Sequence, residues 1–102
     1  MMTMTKPYIE HEEATVNSLR NDPGFAAEYL SAVLEDGEPA EVMSALRRVS
    51  EACGGVHHVA TNAELNAKTL YRTLSPKGNP ELKSLMAILS ALNLKLAIVP
   101  KQ

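Results

Sequence analysis

The chain has 102 residues, 45% hydrophobic and 22% charged, which bounds it to one globular domain small enough to gain from dimerisation. With no Trp and a single Phe, the core has to be built from Leu, Val, Ile, Met and Ala, a set that suits packed helices. The net charge of −2 excludes a strongly basic or acidic chain, yet it averages two unlike halves. Residues 1–41 set two cations against nine carboxylates, net −7; residues 42–102 set eight against three, net +5. The basic half has the charge to meet a polyanion and the acidic half a basic partner, although solvated helix faces account for the same pattern. The longest apolar run, Leu94 to Pro100, is too short to cross a bilayer and is interrupted by Lys95. The N-terminal MMTMTKPYIEHEE lacks the apolar stretch of a secretory signal. One cysteine, Cys53, leaves no intrachain disulfide and no cysteine metal set. The expectation is a reduced, cytoplasmic protein with no membrane association.

In chain order, residues 1–8 read as frayed and His11 to Arg20 as a short helix, so residues 1–21 are expected to form a partly ordered arm before a single domain over 22–102. Asp22-Pro23 is a clear start signal: Asp serves as N-cap, and Pro takes the first helical position, where its missing N–H costs nothing. Phe25, Tyr29 and Val33 then repeat every four residues beside Ala26, Leu30 and Leu34, a buried helical face closed by Gly37. Pro39 opens a second long helix with Val42, Leu46, Val49 and Cys53 on one side beside Ala45 and Ala52. Arg47, Arg48 and Glu51 are expected to face out, and Gly54-Gly55 to end the helix.

The segment Val56–Leu74 has the pattern of two short helices joined by a turn. Ala60 permits a close crossing, Leu65 plugs the turn, and Asn66 caps the second helix, which Leu70 and Leu74, four apart, anchor to the core. That anchoring predicts an outward face of Ala67, Lys68, Tyr71 and Arg72. Pro80 is expected to start another helix with a stripe of Leu82, Leu85, Met86, Leu89 and Leu92, ended by Asn93 as a left-handed cap. From Leu94 to Val99 the period changes to alternation, with Leu94, Leu96 and Ile98 on one face. This reads as a short strand whose unpaired edge calls for the same strand of a second copy, hence a two-fold dimer.

The 56–74 segment resembles the helix-turn-helix of phage repressor and Cro-like proteins. More closely, residues from about Tyr8 to Val99 resemble the family of probable addiction-module antidote proteins, the HigA-like antitoxins encoded beside RelE/HigB-like toxins. The residues that carry the likeness are Ala26-Ala27-Glu28-Tyr29-Leu30, Leu65 with Leu70-Tyr71-Arg72, Leu74-Ser75-Pro76-Lys77-Gly78-Asn79-Pro80, and Ala91-Leu92-Asn93-Leu94-Lys95-Leu96. The chain departs from the pattern in three places. Glu64 and Asn93 stand where Gly is usual, and Val56 replaces the Gln that often begins the motif's first helix, which removes one familiar phosphate and base contact.

The resemblance implies an all-α, Cro/repressor-like bundle of five to six helices with a short C-terminal β-strand pairing across a dimer. It implies a DNA-binding antitoxin of a type II toxin–antitoxin module that neutralises its cognate toxin and represses its own operon. Asn66, Ala67, Lys68, Tyr71 and Arg72 would then meet base edges or phosphates, with Lys77, Gly78 and Asn79 placed where a loop meets a phosphate. Partners would be double-stranded DNA of the operator, the toxin, and a second copy joined through Leu94, Leu96 and Ile98.

Plainer readings stand beside these. Adjacent helical residues point about 100° apart, so His57-His58 do not chelate a metal, and surface solvation accounts for them. Cys53 is a small hydrophobe at a helix end with no base beside it. Glu12-Glu13 and Glu35-Asp36 lack the surroundings of an acid–base pair. Tyr71 is equally suited to stacking or phosphate contact and to shielding the motif's core. No nucleophile, base, metal set or cofactor motif points to an enzyme. Two other functions fit the same residues: a stand-alone helix-turn-helix regulator, and a protein-interaction module that uses the motif only as a scaffold.

Overall fold

A computed structural model describes residues 15–101, and these are helical with no strand. The expected fraying of residues 1–8 and the helix start at His11 lie outside the described residues. Helix α1 covers residues 15–21 of the described chain, followed by α2 (Pro23–Asp36), α3 (Pro39–Ala52), α4 (Val56–Ala63), α5 (Ala67–Thr73) and α6 (Leu82–Ala91).

Local chemistry sets most of these limits. Asp22 Oδ1 accepts the Phe25 N–H at 3.1 Å, and Pro23 follows at the first helical position. Gly37 closes α2 with extended rather than left-handed backbone, φ −91° and ψ 160°, donating its N–H to Val33 O. At the head of α3 the Glu41 carboxylate accepts the Glu38 N–H at 2.8 Å, half of a capping box. Gly54 and Gly55, with φ of 111° and 101°, turn the chain out of α3 into α4 through backbone that side chains rarely adopt.

Helix α2 packs on α3, α3 on α4, and α4 on both α5 and α6. Between them lies one apolar core of Leu19, Leu30, Leu46, Val49, Val56, Val59, Leu70, Leu74, Ile88, Leu89 and Leu92 with small Ala side chains. The buried Ser50 satisfies its hydroxyl by donating to Leu46 O at 2.8 Å.

Several faces differ from expectation. In α3 Met43 and Ser50 are buried and Arg48 is half-buried rather than outward, because this helix is covered by α2 on one side and α4 on another. Leu34 of α2 is exposed. Helix α6 starts at Leu82 with Glu81 as N-cap, not at Pro80. Its inward face is Leu85, Ile88, Leu89 and Leu92, while Leu82 and Met86 are 65% and 54% exposed.

The strand expected over Leu94–Val99 is not formed within the described chain. A strand needs an edge to pair with, and one copy offers none here. Leu94 instead folds back: with Asn93 left-handed at φ 64°, its N–H donates to Leu89 O at 2.8 Å and its side chain joins the core. Leu94 is therefore committed to its own chain, and only Leu96 and Ile98 of the expected dimer face remain exposed, joined by Val99.

Candidate nucleic-acid interface

The site is built on the α4–α5 pair. Helix α4 ends in a reversal at Glu64, φ 59° and ψ 42°, where the Glu64 N–H donates to Ala60 and Thr61 carbonyls and the Leu65 N–H reaches Ala60 O at 2.8 Å. Leu65 is half-buried against the core, and Asn66 starts α5 by accepting the Thr69 N–H on its Oδ1 at 3.0 Å. Leu70 and Leu74, 2% and 1% exposed, pin the helix from below.

This reversal yields a stability prediction. A β-carbon in left-handed backbone costs roughly 1–2 kcal/mol, of which glycine's greater freedom in the unfolded chain returns part. Glu64→Gly is expected to raise stability by about 0.5–1 kcal/mol in urea unfolding, more than Asn93→Gly, since Asn tolerates positive φ better. A lowered midpoint for Glu64→Gly would contradict it.

The anchoring leaves Lys68 and Arg72, four residues apart, exposed on the same side of α5. Asn66 is also exposed, with its side-chain carbonyl oxygen used by the cap. Ala67, expected to point outward, is half-buried against the core, because the first residue of α5 sits over the turn that Leu65 plugs. Tyr71 is 44% exposed and carries the Arg47 guanidinium over its ring, 5.6 Å from Cζ to centroid. Arg47 comes from α3 and is not among the site residues expected from sequence. It is an outward residue of its own helix, and the packing of both α3 and α5 on α4 brings it to Tyr71.

At the other end of α5 the chain tightens into the loop 75–81. Ser75 Oγ donates to Arg72 O at 2.7 Å, and the Gly78 N–H donates to Ser75 O at 2.8 Å. The Gly78 amide is therefore engaged inside the turn. Lys77 and Asn79 of the same loop are exposed. Asn66 and this loop bracket a helix of seven residues, about 10 Å long at 1.5 Å per residue.

A family model described as "Probable addiction module antidote protein" matches residues 11–100. The chain belongs to this family. Membership supports the role of antidote, that is antitoxin, in an addiction module. The antidote-family chain is also 30% identical over 70 residues to an uncharacterized protein of Haemophilus influenzae, covering 69% of this chain and 71% of the relative. No solved structure matches this antidote chain.

Elsewhere in the antidote chain the chemistry is plain. Among its described residues no three His, Cys, Asp or Glu side chains form a metal-sized group, and no helix is long and apolar enough to cross a membrane. Cys53 is half-buried with its thiol 3.6 Å from Leu19 O; burial pushes its pKa up, and the nearby Arg20 only partly offsets this. Thiolate forms later than in an open thiol as pH rises, so alkylation of Cys53 by iodoacetamide at about pH 8 is expected to run several-fold slower than that of glutathione. An equal rate would contradict it.

Proposed function

We propose that the protein is the DNA-binding antitoxin of a type II toxin–antitoxin module, a cytoplasmic homodimer that represses its own operon and neutralises a RelE/HigB-like toxin. In this reading α4 and α5 act as a Cro/repressor-type helix-turn-helix, with α5 in the major groove. The observation that carries it is the placement of Lys68 and Arg72 on the exposed side of a helix whose opposite side, Leu70 and Leu74, is fully buried in an antidote-family chain.

A guanidinium or ammonium at these positions donates to guanine O6 and N7 or to phosphate oxygens, and Asn66 donates its amide to adenine or to the backbone. Lys77 and Asn79 add backbone contacts from the loop. Ala67 approaches closely without blocking entry. Two such helices related by a dyad would meet successive grooves about 34 Å apart. The exposed tail residues Leu96, Ile98 and Val99 support pairing with a second copy, which would supply the edge that the tail lacks. The toxin surface is proposed on α2 and the α2–α3 junction, where Glu28, Glu35, Asp36, Glu38 and Glu41 are all exposed, as is Leu34. Such a surface suits a basic partner.

The test is retardation of the protein's own upstream DNA across a salt series, with a co-expression pull-down of the neighbouring gene's product. Specific retardation that weakens steeply with salt supports the DNA reading. Salt-independent or absent retardation with an intact pull-down leaves a toxin-binding module alone.

A further inference from the structure

Arg47 lies on α3, twenty-four residues before Tyr71, yet its guanidinium stands 5.6 Å from the centre of that ring. Its Nε also pairs with Glu51 Oε2 at 3.4 Å, the two side chains being 44% and 55% exposed. Neither contact is a strong structural tie. An exposed i,i+4 ion pair of this length stabilises a helix weakly, and an exposed cation over an aromatic face adds little more. What the two contacts do is set direction. They hold a long cationic side chain on the side of α3 that meets Tyr71.

Tyr71 lies three residues after Lys68 and directly before Arg72, so the guanidinium resting on it stands beside the cationic side of α5. A guanidinium lying on a ring keeps its in-plane N–H donors, and Glu51 engages only one of the five. The group on that donor is a single anionic oxygen, which is also what a nucleic-acid phosphate presents.

We infer that Arg47 is a backbone-phosphate contact of duplex DNA supplied by α3 from outside the α4–α5 pair, aimed by Tyr71, with Glu51 standing in for the phosphate while the protein is free. The inference rests on the DNA reading above and deepens it. It gives Tyr71 the role of a platform for Arg47. Because a phosphate carries no sequence information, Arg47 adds affinity equally on any duplex.

The experiment measures affinity for the protein's own upstream duplex and for an unrelated duplex of equal length, at several salt concentrations between about 50 and 200 mM. Arg47→Gln is expected to weaken both by the same several-fold factor and to make the slope of log K against log salt shallower by about one. Arg47→Lys, which keeps the charge but not the planar guanidinium, is expected to restore the slope. Glu51→Gln is expected to tighten binding to both duplexes, and that gain is expected to vanish in the Arg47→Gln background.

An unchanged slope in Arg47→Gln, or a loss confined to the protein's own duplex, overturns the inference. So does a Glu51→Gln gain that persists without Arg47. Should Arg47→Gln fail to fold by circular dichroism, Glu51→Gln alone decides: tighter binding to both duplexes supports Arg47 as the contact, and unchanged binding overturns it. A wild-type chain that retards neither duplex overturns the DNA reading itself, a result distinct from all of these.

Discussion

Replacing Lys68 and Arg72 together by alanine is expected to abolish retardation of the protein's own upstream DNA while leaving the melting temperature essentially unchanged. Both side chains are exposed, so their loss opens no cavity, and Ala is a better helix former than either. Helix α5 stays in place because Leu70 and Leu74 hold it. A good bidentate contact to a base edge is worth about 1–3 kcal/mol, so two such contacts together are worth roughly 2–6 kcal/mol, a loss of about thirtyfold or more in affinity. Where either cation meets phosphate instead, the salt slope becomes shallower by about one for each. Melting curves and retardation on the same preparations separate the two effects. Undiminished retardation by the double variant would remove α5 from the interface.

Gly78→Ala is expected to be the most damaging single-methyl change in the described chain, at about 2–4 kcal/mol in urea unfolding. A Cβ at Gly78 would fall 1.6 Å from Thr73 O and 2.4 Å from Thr73 C. Both are backbone atoms at the last residue of α5, so no side-chain rotation relieves the contact. The loop has to open instead, and it loses the Gly78 N–H bond to Ser75 O and strains the Ser75 hydroxyl bond to Arg72 O. The change reaches α5 through its C-terminal end, so DNA retardation is expected to fall along with stability. That distinguishes this variant from the Lys68 and Arg72 pair, where the two measurements part. An unfolding midpoint like the wild type's would mean that the loop does not lie against Thr73 as described.

Features governed by neighbours along the chain are legible in the amino-acid sequence. Asp22-Pro23 caps α2, Asn66 caps α5, and Glu64 and Asn93 take the left-handed backbone expected where Gly is usual. Each of these depends on a few adjacent atoms. What depends on packing is harder to read. In α6, Leu82, Met86 and Leu89 share one helical spacing and Leu85, Ile88, Leu89 and Leu92 another, so periodicity alone does not choose between them. Contact with α4 chooses the second and leaves Leu82 and Met86 outside. Arg48 is drawn inward by helices on two sides of α3 for the same reason. Alternation in the tail marks Leu94, Leu96 and Ile98 as one set, but the turn at Asn93 claims Leu94 for the core. Of the candidate site, Lys68 and Arg72 follow from the anchoring leucines. Arg47 does not, since no rule of spacing links α3 to a ring on α5.

The seven residues of α5 are too few for a helix to persist in water without support, where roughly 12–15 are needed even in favourable sequences. The surface offered to a ligand therefore exists only while the body beneath it is assembled, and no partly melted form retains it. Occupancy by a ligand and cooperative unfolding become opposing pulls on one equilibrium, so saturating the helix raises the temperature at which the whole molecule melts.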